Sequence, residues 1–405
     1  MKHKLTLSSL LLAGILTLAP TASAATTWYV NGVNGSDTNN CKLPTTACGT
    51  IGHAISLAHS GDSIMVAAAT YYEHLTIGLS LTILGSSAQT TIIDGGGHNT
   101  VATISNSAAR VTLSQLTIRH GVAQNGGGIY NSGMLTINHC VISGNSAGSS
   151  PHLPAAGGGI YSAGTLAINN STIQGNSALG ALFGGQGGGI YTTAILTIND
   201  STITGNNSTV NFYPHQGAAG GGIYTRATLT INNSTISGNT AEATGRCFPP
   251  YCFRSSVGGG IAAGNATINN TTISGNSADY EGGGIYGSAG SATLQNSIVA
   301  NNGLDNCLGT VTSHGYNLSS DNTCNFHSSG DRNNVDPKLA TLGNYGGPTQ
   351  TIPLFSGSPA IDAGNPSGCT DGSGHLLTKD QRGYPRHDPE DTGGCDMGAY
   401  ERQTD

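Results

Sequence analysis

Charged residues are scarce in this sequence of 405 residues: Asp, Glu, Lys and Arg together make up 9%, against about 25% in an average soluble protein. Aromatic residues make up 5%, with a single Trp. The formal net charge of −7 gives no basic surface of the kind that binds nucleic acid. A core must therefore be built from the regularly spaced Ile, Leu and Val residues.

Long hydrophobic runs are also missing beyond the N-terminus, and this excludes a membrane-spanning helix, which needs about 18 or more apolar residues. The N-terminus itself has a basic start, an apolar stretch from Leu5 to Ala19, and small residues at Ala22 and Ala24. This pattern predicts a secretory signal peptide over residues 1–24. We therefore expect a protein that is secreted to the extracellular space or associated with the cell envelope.

Glycine is abundant, at 62 residues, and much of it belongs to a repeated phrase, GGGIYNSGMLTINHCVISGNSA in its first copy. Copies begin 24 to 38 residues apart, a period typical of solenoids. Within each copy, three short β-branched segments alternate with period two and are separated by Gly and Asn. The pattern predicts an all-β parallel β-helix with three short strands per coil. The six copies begin at Gly126, Gly157, Gly187, Gly220, Gly258 and Gly282.

Equivalent residues of successive coils should then stack on one another. One buried aliphatic column is predicted for Ile129, Ile160, Ile190, Ile223, Ile261 and Ile285, and another for Ile142, Ile173, Ile203, Ile236, Ile273 and Val299. An amide ladder is predicted for Asn145, Asn176, Asn206, Asn239, Asn276 and Asn302. An outward stack is predicted for Tyr130, Tyr161, Tyr191, Tyr224 and Tyr286, which suits either cross-coil packing or a carbohydrate-binding strip.

Insertions fall at one seam in each copy, after the SGNSA turn and before the next GGG. They should emerge along one edge of the solenoid, where such proteins often bind partners. Aromatic and cationic residues in these loops suit an extracellular glycan or a surface protein as ligand. The candidate ligand-binding residues are Phe183, Phe212, Tyr213, His215, Arg246, Phe248, Tyr251, Phe253 and Arg254.

Nine cysteines in an exported chain indicate disulfides, and eight of them form pairs that are close in sequence. The expected pairs are Cys41 with Cys48, Cys247 with Cys252, Cys307 with Cys324, and Cys369 with Cys395. Cys140 is left over, at a position that Ser or Thr occupies in the other copies, and should be buried and inert. No CxxC motif is present, so zinc and other metals are not expected at these cysteines.

Both ends differ from the repeats. Residues 25–75 should form an N-terminal cap and the first coil, with a short helix from Ile51 to Ala58. Residues 76–305 should form the β-helix. Residues 306–335 should form a connector held by a disulfide. Residues 336–405 are richer in acids and should form a small β-rich module. The one cofactor considered is Ca²⁺, which four acidic residues of this module would bind. An alternative prediction is that these acids pair instead with Arg382 and Arg386. The four acids are Asp388, Glu390, Asp391 and Asp396.

The repeats resemble those of chlamydial polymorphic outer-membrane proteins through Gly127-Gly128-Ile129 and Ile142-x-x-Asn145, with Gly and Ile where that family has Ala and Phe. This resemblance implies a right-handed β-helix of the pectin lyase-like kind. The tail resembles the choice-of-anchor Q module of bacterial surface proteins through SPAIDAG, DQRGYPR and GCDMGAYE, between Ser358 and Glu401. That resemblance implies association with a bacterial cell surface.

Three functions follow as hypotheses. The first is an adhesin-like protein that binds glycan or protein through the loop edge. The second is a polysaccharide lyase or glycoside hydrolase, which requires paired acids; Asp279 and Glu281 are the close pair in the repeats, and His120 after Arg119 is a further hint. The third is a purely structural envelope protein. The repeats show no clustered carboxylates, which favours binding over catalysis.

Overall fold

Parallel strands stacked coil upon coil make up most of the molecule. A computed structural model describes residues 24–148, 150, 153–180, 184–211, 217–244, 256–386 and 394–403, with the backbone alone at 288 and 289. The predicted signal peptide lies outside this range, apart from Ala24. Within the described residues the coils form three parallel sheets, here called A, B and C, of 16, 10 and 6 strands, and the coils between Val122 and Ala278 contribute to all three.

Sheet A takes two segments from each coil, and the two segments merge into single long strands in the later coils. The first column of short strands is Leu75–Ile77, Ala102–Ile104, Ile129–Asn131, Ile160–Ser162 and Ile190–Thr192. The second column is Thr27–Val30, Ser63–Val66, Leu81–Gly85, Arg110–Ser114, Met134–Asn138, Leu166–Asn169 and Leu196–Asn199. The long strands are Ile223–Asn232, Ile261–Asn269, Ile285–Gln295 and Cys307–Ser313.

Sheets B and C consist of strands of two to four residues. The strands of sheet B are Ala69–Tyr71, Thr91–Asp94, Thr117–Arg119, Val141–Ser143, Thr172–Gln174, Thr202–Thr204, Thr235–Ser237, Thr272–Ser274, Ile298–Ala300 and Leu318–Ser319. Those of sheet C are Val122–Ala123, Ser146–Ala147, Ser177–Gly180, Asn207–Val210, Thr240–Ala243 and Ser277–Ala278. Each strand of sheet C lies directly before the position at which the repeats take insertions, and the sequence predicts only a turn there.

The coils stack in the register that the repeats predict. Ile129 pairs with Ile160 and Ile160 with Ile190, and the side chains of both predicted aliphatic columns are fully buried. Parallel pairing between coils uses the backbone groups that one coil alone could not satisfy. Burial of one Ile per rung in each column supplies about 1.5–3 kcal/mol per side chain. The parallel β-helix is therefore held by repetition of one small set of contacts.

The predicted asparagine ladder is present and continues to the end of the coils. In each rung the side-chain oxygen accepts two hydrogen bonds from the previous Asn, as from Asn176 N and Nδ2 to Asn206 Oδ1 at 3.0 and 2.9 Å. The Nδ2 group of Asn206 also donates to Ile173 O at 2.9 Å. The ladder ends as Asn302 donates to Asn306 Oδ1 at 3.0 Å.

A second asparagine ladder, which the sequence analysis missed, marks the turn between sheets A and B. Each Nδ2 group donates to the Oδ1 atom of the preceding coil at 2.9–3.0 Å. The ladder consists of Asn138, Asn169, Asn199, Asn232 and Asn269. Asn138, Asn169 and Asn199 are only partly buried, whereas Asn232 and Asn269 are buried, so the first three amides are open to contact from outside.

The N-terminal end of the stack is capped as predicted. The helix Ile51–Leu57 begins at Thr50, whose side chain accepts a hydrogen bond from His53 N, and it buries Ile51, Ala54 and Ile55 against the first coil. A 3₁₀ turn, Pro44–Thr46, lies beside it. The disulfide Cys41–Cys48 holds a segment that bonds to the outer edge of strand Thr27–Val30. The cap therefore protects a strand edge that would otherwise be open to other chains.

Coils continue past residue 305, into the segment that the sequence describes as a connector. Cys307 pairs with Ile285 in sheet A, and Leu318 pairs with Ile298 in sheet B. The repeated phrase has ended there, and within Cys307–Ser313 only Cys307 is buried, but the pairing with the preceding coil persists. The predicted disulfide Cys307–Cys324 is formed, and Phe326 is buried against the end of the core.

The C-terminal residues run back along the outside of the coils rather than forming regular strands. Their β-structure consists of isolated antiparallel bridges, such as those from Leu339 to Leu354 and from Thr370 to Leu376. Frequent Gly and Pro interrupt strand formation, and the disulfide Cys369–Cys395 closes the chain on itself. We call described residues 349–386 and 394–403 the strap. No helix among the described residues is both long and apolar enough to cross a membrane.

Candidate functional site

The predicted ligand-binding residues all lie in loop segments outside the described residues. These are Phe183, Phe212, Tyr213, His215, Arg246, Phe248, Tyr251, Phe253 and Arg254, and the predicted pair Cys247–Cys252 lies there too. What the structure does describe is the base of each loop. The role of the loop residues in binding stays a prediction.

The loop bases form one continuous edge. Each loop leaves from a strand of sheet C and returns just before the first Gly of a repeat. The return residues pair in parallel from coil to coil, as Asn125 does with Ala156 and Ala156 with Gln186. We call this column of return residues, with the side chains beside it, the seam. Because the returns are stacked, the bases of the loops lie on the same side of the solenoid.

Glycines follow each return, and their lack of a side chain is required. Gly187 has φ +63°, and a Cβ atom there would lie 2.2 Å from Ile190 O. A Cβ atom on Gly189 would lie 2.7 Å from Gly222 O and 3.0 Å from the Asn206 side chain. Backbone atoms of adjacent coils thus lie close together, with no side chain between them. This close approach places the seam next to the asparagine ladder.

Tyrosines stack beside the seam. The rings of Tyr130, Tyr161, Tyr191 and Tyr224 lie parallel within 10°, with centroids 5.0–5.4 Å apart. The prediction that Tyr286 joins this stack is wrong, because Ala262 occupies the intervening coil. Each inner ring is covered on both faces by its neighbours. The stack therefore offers hydroxyl groups and ring edges, rather than open ring faces, to a ligand.

Arg226 lies at the C-terminal end of this stack. Its Nε donates to Tyr224 Oη at 3.4 Å, and its guanidinium lies 5.9 Å from the Tyr224 ring centroid. Burial raises the pKa of Tyr161 and of Tyr191, while the charge of Arg226 acts in the opposite direction. The hydroxyl groups therefore stay protonated at neutral pH and can both donate and accept hydrogen bonds.

A groove of about 530 Å³ runs between the stack and the seam, within the size range of small-ligand sites. We call it the tyrosine groove. Gln124 shapes one end, since its Nε2 donates to Pro154 O at 2.8 Å. Among the described residues that line the groove none is acidic and one is cationic. They are Gln124, Asn125, Leu153, Pro154, Ala156, Tyr161, Gln186, Tyr191 and Arg226.

A second concavity, of about 370 Å³, lies where the strap crosses the turn between sheets A and B. Asp200 from the coils and Asp371 from the strap both line it, together with amides of both coil turns. Burial raises the pKa of Asp200, although a hydrogen bond from Asn233 opposes this. Burial also acts to raise the pKa of Asp371, but hydrogen bonds from His375 and Ser373 outweigh it and lower that pKa.

The acids that the sequence offers as a pair are otherwise engaged. Asp279 Oδ2 accepts a hydrogen bond from Ala243 N at 2.7 Å, and Glu281 forms part of the seam through its bridge to Val257. The presence of Asp200 and Asp371 in one concavity could not be found from the repeats, because one of the two acids comes from the strap.

Within the described part of the strap, Arg382 and Arg386 both pair with carboxylates that the sequence analysis does not name as their partners. Arg382 Nη2 lies 2.7 Å from Asp380 Oδ2, and Arg386 Nη1 lies 3.0 Å from Glu401 Oε2. Asp396 is instead held by the backbone N–H groups of Asp362 and Arg402, and burial raises its pKa to about 7. The other three residues of the predicted Ca²⁺ site, Asp388, Glu390 and Asp391, lie outside the described residues, so that site remains a prediction.

Cys140 is a buried free thiol, as the repeat alignment predicts. It belongs to the row that contains Ser171 and Ser201. In this row the backbone N–H group of one residue donates to the side-chain hydroxyl of the next coil, as from Cys140 N to Ser171 Oγ and from Ser171 N to Ser201 Oγ. Burial raises the pKa of Cys140 to about 12. The thiol is therefore protonated at neutral pH and unsuited to act as a nucleophile.

Comparison with known proteins agrees with the fold. Residues 270–288 match the Chlamydia polymorphic membrane protein repeat. The crystal structure of pectate lyase Pel9A is similar over 94% of this chain and 97% of that one, with a TM-score of 0.53 and 11% identity. Pectin methylesterase PemA from Erwinia chrysanthemi matches over 70% of this chain and 81% of that one, at 14% identity and a TM-score of 0.36. No curated protein sequence matches the chain. The chain is thus a parallel β-helix repeat protein with a pectin lyase-like fold.

Proposed function

We propose that this protein acts outside the cell or at its surface and binds a glycan in the tyrosine groove, with the loops of the same edge completing the site. The observation that carries the proposal is the composition of the groove, in which phenol hydroxyls, amides and one guanidinium face one open channel beside the seam. Such groups match the dense hydroxyl groups of a sugar. The three disulfides among the described residues suit an oxidising environment outside the cytoplasm.

The direction of the groove supports a chain-like ligand. Tyr161 and Tyr191 repeat at 5.1 Å along the solenoid axis, so equivalent hydrogen-bonding groups recur at each coil. A polymer of sugars lying along the axis would meet similar groups at each step. Arg226 adds one positive charge and no described residue of the lining adds a negative one, so an acidic glycan is favoured over a neutral one.

The test uses substitutions that remove polar atoms and keep the packing. A glycan array identifies ligands of the unmodified protein, and affinity for them is then measured for Tyr161→Phe and Arg226→Gln. We expect the Tyr161→Phe, Arg226→Gln double variant to bind about ten- to a hundredfold more weakly, since each lost hydrogen bond contributes a net free energy of about 0.5–1.5 kcal/mol.

Matched controls exist in the chain. Tyr286→Phe changes a tyrosine at the same repeat position but outside the stack, and Arg110→Gln changes an exposed arginine of sheet A; neither should alter the affinity. An array without any bound glycan, or equal affinity in the double variant and its controls, would count against glycan binding at this groove. A rigid envelope component without a ligand would then be the better account.

A polysaccharide-cleaving enzyme is the second candidate, and the concavity lined by Asp200 and Asp371 favours it. Two carboxyl groups whose surroundings shift their pKa values in opposite directions are what an acid and a base require. We expect any cleavage of acidic or neutral polysaccharides to fall at least a hundredfold in both Asp200→Asn and Asp371→Asn. Reducing-end release and absorbance of unsaturated products measure the two reaction types. Unchanged turnover in Asp371→Asn would exclude this pair.

A further inference from the structure

A cluster of charged side chains lies on the outer face of sheet B, away from the seam. Asp94 is buried at the end of one strand, and Arg119 pairs with it from the next coil. Arg119 Nε donates to Asp94 Oδ2 at 2.7 Å, and His120 Nδ1 lies 3.1 Å from the same oxygen. Gly96 N donates to the other carboxylate oxygen at 3.0 Å.

The coils do not need this cluster for their stability. The following coils carry Ser143, Gln174 and Thr204 in the row where Asp94 and Arg119 lie. They form the same sheet and turn without an ion pair. The cluster is therefore an addition to the repeating design.

His120 also has an unfavourable backbone conformation. Its φ is 56°, in the left-handed region that residues with side chains rarely adopt. Five later coils have glycine at the equivalent turn position, namely Gly144, Gly175, Gly205, Gly238 and Gly275. The imidazole lies over Gly144, where a Cβ atom would be 3.4 Å from His120 Cδ2. A strained residue that replaces a glycine indicates a role for its side chain.

The geometry determines what this side chain offers. Because Arg119 and His120 are bound to one oxygen of Asp94, the guanidinium and the imidazole are held side by side. Because His120 is bonded to Asp94 through Nδ1, its Nε2 is directed away from Asp94. Because Arg119 is bonded through Nε, its terminal nitrogens remain available to a ligand. The side chain of His120 is 54% exposed and that of Arg119 33%. A guanidinium and an imidazole held side by side by one carboxylate form a pre-arranged receptor for an oxyanion.

We propose that Arg119 and His120 form a binding site for the carboxylate or sulfate group of a ligand, oriented by Asp94. The guanidinium supplies paired donors that match the oxygens of such a group, and Nε2 of His120 supplies a third when both ring nitrogens carry a proton. The site is on sheet B and does not share residues with the tyrosine groove. It therefore does not depend on the proposed glycan-binding function.

Nuclear magnetic resonance of the full chain labelled at histidine tests the proposal. The thirteen histidines are assigned with His120→Gln, and sodium acetate, sodium sulfate and sodium glucuronate are titrated at constant ionic strength against sodium chloride. We expect saturable shifts of the His120 ring signals with a Kd in the millimolar range. Tighter binding of glucuronate than of acetate would assign the group to a sugar ligand, and equal binding would assign it to a free anion.

Variants separate a designed site from general attraction to charge. Arg119→Gln should weaken binding about tenfold, as expected for loss of a charge-assisted hydrogen bond, and Arg119→Lys should restore part of it. Backbone amide signals of Gly95 to Gly97 report binding in His120→Gln. His139→Gln, at another exposed left-handed turn position, and Arg110→Gln should leave binding unchanged. Shifts no larger than those caused by chloride, or equal weakening in the control variants, would overturn the proposal.

Discussion

Replacing Arg386 with Met should lower the free energy of unfolding by about 3–5 kcal/mol, the usual effect of removing one member of a buried ion pair. The side chains of Arg386 and Glu401 are each 1% exposed, with Nη1 and Oε2 3.0 Å apart. Arg386 Nη2 also donates to Asn233 Oδ1 in the coils and to Gly398 O in the strap at 2.8 Å. The substitution would remove the charged partner of a buried carboxylate and one donor from each of two acceptors.

Hydrogen exchange is the suitable measurement, because a solenoid can open locally without unfolding as a whole. Amides of residues 360–386 and 394–401 should lose protection in Arg386→Met, while those of the first coils should keep it. The control Arg110→Met, at an exposed site, should change stability by no more than about 0.5 kcal/mol. In Arg386→Met, Glu401→Leu the effect should be smaller than in the single variant, since no unpaired charge remains. Unchanged protection in Arg386→Met would show that the strap is held by its other contacts.

The second large effect is expected in the inner asparagine ladder. Asn206→Ala should cost roughly 3 kcal/mol or more, because it removes the side-chain partner of Asn176 N and of Ile173 O and one of the two hydrogen bonds of Asn176 Nδ2, which keeps its bond to Ile142 O. All of these groups are buried. Substitution of a single amide would thus disturb three adjacent coils.

The outer ladder provides the comparison. Asn199 is part of a chain of amides with the same 2.9–3.0 Å spacing, but it is only partly buried. Water can therefore replace the lost bonds in Asn199→Ala, and a cost of about 1 kcal/mol is expected. Urea denaturation followed by circular dichroism measures both variants. Equal costs would mean that burial does not determine the strength of these ladders.

Periodicity explains how much of this structure is readable in the sequence. Ile129 and its equivalents meet the same surroundings in each coil, so one repeat predicts the contacts of the others. The Asn145 ladder and the buried Cys140 follow from the same alignment. The outer ladder was equally readable, as an Asn at the end of each second segment of sheet A, but the sequence analysis did not use it.

Contacts that are not periodic could not be predicted. The strap brings Asp371 beside Asp200 and Arg386 beside Asn233, and no repeat encodes either approach. Arg386 was expected to pair with acids close in sequence, whereas burial selected Glu401. Tyr286 shows the opposite failure: its position in the repeat is right, but the single change to Ala262 interrupts the stack.

The strap crosses successive coils in turn. Gln381 Nε2 donates to Thr202 Oγ1 at 2.9 Å, and Thr235 Oγ1 donates to Gln381 Oε1 at 2.6 Å. Farther along, Asn270 Nδ2 donates to Thr370 O at 2.6 Å, and Asn365 N donates to Asn296 Oδ1 at 2.8 Å. These contacts span the coils from Thr202 to Asn296 in a fixed order.

Gene duplication usually lengthens or shortens a solenoid by whole units, since neighbouring units alone must match. Between Gly126 and Gly187 this freedom is intact here, and one more copy could be spliced in without altering any distant partner. Between Thr202 and Asn296 it is lost, because an added copy would carry each downstream anchor one step out of reach. Natural variants of different length should therefore differ in the first part of the coil array and agree in the number of copies beneath the strap.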